Sequence, residues 1–263
     1  MTIGLSCAAF YGRMESEDQA AHLRAFPLDC CEVFLQTPSE YRAAFGRLVR
    51  QRLGGLPCAS IHVKGTQFEP DLFGASARQR EDAFATLRGA LDAGQALGAR
   101  WYVFHGPGGA AAPITLESIR ALPERFQAMQ AEAQARGLEI LWENVSWCAL
   151  RRPEDVREAA ARLPGLRFVL DIKQARRAGV EPFAMLEAMG GDIRHVHVLD
   201  WDASGRLCLP GQGVVDFDRL FGCLRALGYE GAVILEPYAA QAADEDALRR
   251  ALDFLREKAH RAE

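Results

Sequence analysis

The chain has 263 residues, 49% of them hydrophobic and 25% charged, with 31 Lys+Arg against 35 Asp+Glu for a formal charge of −4. Such a composition supports a large core and excludes disorder, and with no basic cluster longer than a pair or so it argues against nucleic acid as a partner. No apolar run approaches the roughly 20 residues of a membrane helix, and the N-terminal Met-Thr-Ile-Gly-Leu-Ser lacks the basic start and long apolar core of a signal peptide. A soluble cytoplasmic protein with no membrane partner is expected. The seven cysteines (Cys7, Cys30, Cys31, Cys58, Cys148, Cys208, Cys223) show no Cys-x-x-Cys spacing. Several sit in apolar runs where a thiol packs as a small hydrophobe, so neither a disulfide framework nor a thiolate zinc site is expected.

In chain order, short apolar runs alternate with helix-length segments. Residues 3–6 form a strand-like run, followed by a helix over 15–26; the pattern repeats as 30–35 and 39–53, then 58–63 and 75–98. The helix over 75–98 has the clearest periodicity, with Phe84, Leu87, Leu91 and Leu97 in one stripe and Gly98 as its C-cap. The series continues as 101–104 and 116–136, 138–142 and 153–163, 166–170 and 174–189, 193–199 and 216–227, and 232–235 and 244–262. Each connection is long enough for a crossover, so the strands pair in parallel. Eight such units without a low-complexity linker predict an α/β chain folded over residues 1–263 as a single (β/α)8 TIM barrel. A doubly wound open sheet is the alternative, but its Gly-x-Gly-x-x-Gly turn is missing after the first strand, and no Walker A loop is present.

The residues that end these runs are informative. Glu143 closes Leu-Glu-Ile-Leu-Trp-Glu, Asp171 closes Leu-Arg-Phe-Val-Leu-Asp, His197 lies in His-Val-His-Val-Leu-Asp, and Glu236 closes Ala-Val-Ile-Leu-Glu. In a parallel barrel these strand ends share one face, where three partly buried carboxylates would repel one another without a cation. One divalent ion held by Glu143, Asp171, His197 and Glu236 resolves the conflict. The mixed oxygen and nitrogen set suits Mn²⁺, Mg²⁺ or Co²⁺, with Zn²⁺ also admissible. His195, two residues before His197 on the same face, is expected below it inside the barrel, and Asp200 is expected to face elsewhere.

His62 and His105 end the third and fourth strands and are candidates for substrate oxygens or a second metal, against the plainer reading of a backbone hydrogen bond. Gly106-Pro107-Gly108-Gly109 after His105, and Leu209-Pro210-Gly211-Gln212-Gly213 later, are loops that either approach a ligand or simply turn. Trp142, Trp147 and Trp201 lie near the same mouth, to wall a pocket or to pack between strand and helix.

Taken together, Trp142-Glu143-Asn144, Leu170-Asp171, His195-Val196-His197-Val198-Leu199-Asp200, the run from Leu209 to Phe217, and Ile234-Leu235-Glu236-Pro237-Tyr238 resemble the xylose isomerase-like TIM-barrel superfamily. That superfamily includes sugar phosphate isomerases and epimerases, ketose 3-epimerases and type IV apurinic endonucleases, and the resemblance spans essentially the whole chain. It implies that Glu143, Asp171, His197 and Glu236 bind one divalent metal and that Glu143 and Glu236 also exchange the substrate proton. Three departures narrow it. Gln174 stands where many members carry the His of Asp-x-x-His, and a Gln is a poor metal ligand there but can hydrogen-bond a hydroxyl. The Asp-x-His that completes the endonuclease zinc cluster is absent from Ser204-Gly205-Arg206-Leu207-Cys208, and the ketose epimerases' Arg after the strand-7 His is not evident. Lys173 is a substitute contact.

The reading that follows is a metal-dependent isomerase or epimerase of a small sugar or sugar derivative. It abstracts a proton beside a carbonyl to give a metal-stabilised enediolate, with His62, His105, Lys173, Gln174 and Trp147 as substrate contacts. The competing readings are a metal-dependent dehydratase or lyase and a non-catalytic sugar-binding barrel. The expected partner is a small sugar-like molecule, with homo-oligomerisation also allowed.

Overall fold

The computed structural model describes residues 1–108, 114–119 and 121–260, and in it eight parallel strands close into a barrel. Seven follow one another as β1 (Thr2–Ser6), β2 (Cys30–Leu35), β3 (Cys58–Val63), β4 (Trp101–Phe104), β5 (Glu139–Glu143), β6 (Phe168–Asp171) and β7 (Ile193–Val198). A small antiparallel ribbon of β8 (Asp200–Trp201) and β9 (Leu207–Cys208) precedes the eighth staff, β10 (Ala232–Leu235), which closes the barrel between β7 and β1. Helices lie between successive barrel strands, as the (β/α)8 reading requires. Among the described residues no helix is long and apolar enough to cross a membrane, and all seven cysteines are free.

Because each strand is buried on both faces, its residues alternate between two environments. One set packs outward against the helices in the large core that includes Ile3, Leu5, Val33, Ile61, Tyr102, Ile140, Leu170, Val196 and Val233. The other set fills the barrel. Trp101, Val103, Leu141 and Val169 form an apolar cluster of their own, and Cys30, Ala232 and Ile234 form a second. Polar side chains on the same inward register, Glu32, Ser60, His195 and His197, are completely buried.

Helix boundaries depart from the periodicity where backbone chemistry intervenes. The segment 116–136 is split into a single turn at Leu116–Ser118 and a helix over Leu122–Gln134, because Ala121 takes a left-handed φ of 52° and Pro123 starts the second piece. The segment 174–189 is likewise two helices, Ile172–Arg177 and Pro182–Met189, separated at Gly179 with φ 72°. The segment 39–53 begins as one turn at Pro38–Glu40 and becomes a helix at Ala43–Leu53. The long helix spans Ala77–Leu97, capped by Ser76, whose hydroxyl accepts from the Gln79 N–H, and by Gly98 at φ 80°. The last helix covers Glu245–His260; Ala262, and Gly109 of the loop after β4, lie outside the described residues. β5 and β6 begin one and two residues later than the apolar runs and each ends one residue later, so Glu143 and Asp171 are the last residues of their strands.

Asp200 does face away from the site, and its role is structural. It is 1% exposed, and its carboxylate accepts backbone N–H groups from Trp201 (2.8 Å), Gly211 (3.2 Å), Gly213 (3.0 Å) and Val215 (3.0 Å). A Cβ on Gly213 would stand 2.3 Å from the Asp200 carboxylate, so the Pro-Gly-Gln-Gly loop is a turn wrapped on Asp200 and not a ligand cradle. Gly106, at φ 82°, is pressed against Trp142 in the same way, and a Cβ on Gly108 would meet Trp147. Replacing Asp200 by Ala leaves four backbone donors without their acceptor, and we expect a loss of about 2–4 kcal/mol. Urea denaturation should show a lower midpoint with an unchanged m value, and Asp200→Asn should be milder.

Candidate metal centre and pocket

The barrel mouth collects Glu143 from the end of β5, Asp171 from the end of β6, His197 from β7 and Glu236 immediately after β10. One donor atom from each lies within 4.8 Å of all the others, and all four residues are buried. Asp171 and His197 are register partners across β6 and β7, and His197 pairs with Ile234 on β10, which sets their heights in the barrel. The four residues singled out in the sequence therefore share one site.

Beneath them lies a carboxylate that the strand-end argument did not find. Glu32, inward on β2, is completely buried and takes hydrogen bonds from Ser60 Oγ (2.8 Å), His195 Nε2 (3.2 Å) and His197 Nε2 (3.0 Å) on one oxygen, with His62 Nδ1 at 3.3 Å from the other. A lone Glu inside Cys-Cys-Glu-Val-Phe-Leu was the available signal, since an unpaired charge in a buried strand demands partners. Anchored through Nε2, His197 turns Nδ1 towards Glu143 Oε1 at 3.1 Å and Glu236 Oε2 at 3.7 Å. His195 stays below, against Ser60 and Glu32, in the interior position expected of it.

Burial alone would raise the Glu32 pKa, but the facing His197 charge and the hydrogen bonds of three histidines outweigh it and hold Glu32 well below the usual carboxylate range. Burial also opposes ionisation of Glu143 and Glu236, and it too is overcome: His197, His62 and His105 lower Glu143, and the Lys173 and His197 charges lower Glu236. Asp171 goes the other way. Burial pushes it up to about 7 against the pull of Lys173, with Glu143 and Glu236 adding to the rise. Its Oδ2 is buried without a hydrogen-bond partner.

His62 and His105 both reach the mouth, their Nε2 atoms 2.7 Å apart, and with Glu143 they form another close donor group. His105 is held by Glu69, missed in the sequence, which accepts its backbone N–H (3.1 Å) and the Tyr102 hydroxyl (2.9 Å). Lys173, 2% exposed, places Nζ 2.7 Å from Glu236 Oε2 and 3.5 Å from Asp171 Oδ2. Gln174 accepts from the Ser146 hydroxyl (2.9 Å), and its N–H donates to Asp171 Oδ1 (2.9 Å), capping the helix that starts there.

A pocket of about 260 Å³ opens on Glu143, Glu236, His62, His105, Lys173 and Gln174, walled by Tyr11, Phe34 and Tyr238. None of the three tryptophans of the sequence argument is part of that wall. Trp142 is fully buried, stacked on Phe126 and donating Nε1–H to the His105 carbonyl, and Trp201 is buried under the Arg176 guanidinium. Trp147 is half-exposed, its ring 5.9 Å from that of His105. A larger cavity of about 600 Å³ opens elsewhere, among residues such as Thr2, Arg100, Arg194 and Gly231 near the strand starts, and contains none of these groups.

The sequence profile described as xylose isomerase-like TIM barrel matches residues 20–258, and the chain belongs to that family. No curated protein matches the sequence. Among solved structures, a D-psicose 3-epimerase determined in the presence of D-fructose superposes with a TM-score of 0.79 at 16% identity, covering 98% of this chain and 99% of its own. The apo form of 3-keto-D-glucoside 4-epimerase from E. coli gives 0.76 at 19% identity, with 98% and 99% covered. The IOLI protein with a bound zinc atom gives 0.74 at 15% identity, with 98% and 96% covered. At these identities the likeness establishes a common fold.

Two outcomes follow from the buried charges. Glu32→Gln removes the charge that faces three imidazoles and replaces one acceptor oxygen by an NH2 donor, and should destabilise the protein by about 3–5 kcal/mol in chemical denaturation. In protein stripped of metal, Asp171 carries a proton in the folded state between its unfolded value of 3.8 and about 7, and His62, raised to about 10 by Glu236 and Glu32 against its burial, does so between 6.5 and 10. The folded state then binds more protons than the unfolded one, so both groups make stability fall as pH rises. Asp171→Asn should remove the part of that fall between pH 4 and 7, and His62→Gln the part between 6.5 and 10, in thermal melts across pH.

Proposed function

We propose that this protein is a divalent-metal-dependent isomerase or epimerase of a small sugar or sugar derivative. The observation that carries the reading is the convergence of Glu143, Asp171, His197 and Glu236 on one pocket, with an Asp171 oxygen that lacks any hydrogen-bond partner. The donor set fits an ion. Without an ion, Glu32, Glu236 and Glu143 overcome burial and hold His197 protonated, with Nε2–H on Glu32 and Nδ1–H on Glu143 Oε1 at 3.1 Å; a dication would take the place of that Nδ1 proton. Oxygen and imidazole donors favour Mn²⁺, Mg²⁺ or Co²⁺, with Zn²⁺ also accepted. When bound, the ion supplies Lewis acidity at the substrate carbonyl.

The chain's own residues do the proton work. Glu143 and Glu236 line the pocket from different strands and are both held ionised by neighbouring cations. One removes the proton on the carbon beside the carbonyl, the C–H electron pair forms the enediolate double bond, and the carbonyl pair moves to oxygen. Return of a proton by the other to the opposite face of that carbon, with the oxygen pair re-forming the carbonyl, epimerises it; return to the neighbouring carbon, with the hydroxyl proton passing to the former carbonyl oxygen, isomerises the sugar. His62 and His105 contribute imidazole donors for substrate hydroxyls, Gln174 an amide, and Tyr11, Phe34 and Tyr238 the apolar wall. The aromatic wall and the pocket's volume suit a monosaccharide-sized molecule.

Metal-loaded protein incubated with a panel of ketoses in D₂O should incorporate one deuterium beside the carbonyl without any change in composition, read by mass spectrometry and NMR. Glu143→Gln and Glu236→Gln should each lower that exchange by at least about a hundredfold. Loss of water from the substrate would favour a dehydratase. No exchange with any ketose and no metal retained by the wild type would overturn the proposal.

A further inference from the structure

The mouth already contains a cation of its own. Lys173 is 2% exposed, and its ammonium lies 2.7 Å from Glu236 Oε2, 3.5 Å from the Glu236 carbonyl oxygen and 3.5 Å from Asp171 Oδ2, with the Tyr238 ring 4.8 Å away. It therefore touches two of the four residues that would hold the ion, including the orphaned Asp171 oxygen. Its position follows from the local chain. The helix Ile172–Arg177 starts directly at the end of β6, capped by the Asp171 carboxylate, so the second residue of that helix is carried back over the barrel mouth.

A glutamate asked both to ligate a dication and to move a proton faces a conflict, because a carboxylate drawn fully onto the ion is a weak base. Glu236 is the residue where a second cation competes with the ion for the carboxylate. Oε2 is engaged by Lys173 and Oε1 lies 3.3 Å from His62 Nδ1, so each oxygen meets a nitrogen donor; Glu143 has imidazoles on both oxygens, but no lysine or arginine is paired with it among the described residues. We infer that Lys173 is a positioning residue that ties down one oxygen of Glu236, competes with the ion for that carboxylate, and so fixes how its other oxygen faces the pocket for proton transfer. The inference rests on the metal-dependent reading above. It makes this a deliberately weakened metal site, in which a fixed positive charge beside the ion opposes its binding.

The sign of the expected effect separates this role from a merely structural one. Neutralising a buried cation next to a dication strengthens dication binding, whereas loosening the architecture weakens it. Calorimetric titration with Mn²⁺ at pH 8 should give Lys173→Gln and Lys173→Met an affinity at least about tenfold tighter than wild type. Lys173→Arg should remain near the wild-type value. Ketose deuterium exchange at saturating Mn²⁺ should fall in the Gln and Met variants through kcat, with a smaller change in KM. Affinity that is unchanged or weaker in a folded Gln or Met variant overturns the inference. A wild type that binds no Mn²⁺ overturns the metal-dependent reading itself.

The wild-type protein provides a test that needs no substitution. In protein loaded with diamagnetic Zn²⁺, the ¹⁵N-labelled Lys173 ammonium should remain protected from solvent exchange, as expected of a group still bonded to Glu236. Its release on metal loading would overturn the inference even if every variant failed to fold.

Discussion

Four carboxylates, Glu32, Glu143, Asp171 and Glu236, are buried within one narrow barrel, and the arrangement of its interior depends on compensating them. Isolated, each would be driven to protonate by loss of water. The histidines and Lys173 are placed where that penalty is greatest: three imidazoles around Glu32, one ammonium between Glu236 and Asp171. Asp171 is the group least compensated, and its raised pKa and an oxygen that has the distant Lys173 ammonium but no hydrogen bond record the remaining deficit. A dication at that point would complete a balance that the side chains leave unfinished.

Compensation is also why the interior is layered. Apolar residues fill the barrel on β4, β5 and β6 below the carboxylates that end β5 and β6, while Glu32, Ser60 and His195 form a polar tier that anchors His197 from below. This tier fixes which imidazole nitrogen is offered upward. The loop geometry after β7 is organised separately by Asp200, so the ribbon and turn beside the mouth do not draw on the groups of the site.

Much of this was legible in the sequence, for a physical reason. Residues that terminate apolar strands in a parallel barrel must share a face, so Glu143, Asp171, His197 and Glu236 could be brought together without coordinates. Glu32 escaped because it lies mid-strand, where alternation places it inside but no terminus marks it. Lys173 was named as a substrate contact; its grip on Glu236 depends on a helix that starts without a loop after β6, a junction invisible to hydrophobic periodicity. Of the tryptophans, Trp142 and Trp201 take the packing alternative: proximity in sequence to a strand end does not say which face of the strand a ring occupies, and Trp142, between inward Leu141 and Glu143, necessarily points out. The split helices show the complementary limit: Pro182 and Pro123 were readable, but the left-handed turn at Ala121 had no signature.

The apolar packing of Trp101, Val103, Leu141 and Val169 has a further consequence for traffic. It stops the barrel like a cork on the side of β4, β5 and β6, and among the described residues the pocket of the site opens at the mouth. On the proposed isomerase or epimerase reading, a reactant and its product contain the same atoms and would use the same doorway in opposite directions. Each molecule that forms therefore stands in the way of the next one to arrive, and turnover is tied to how quickly the mouth empties.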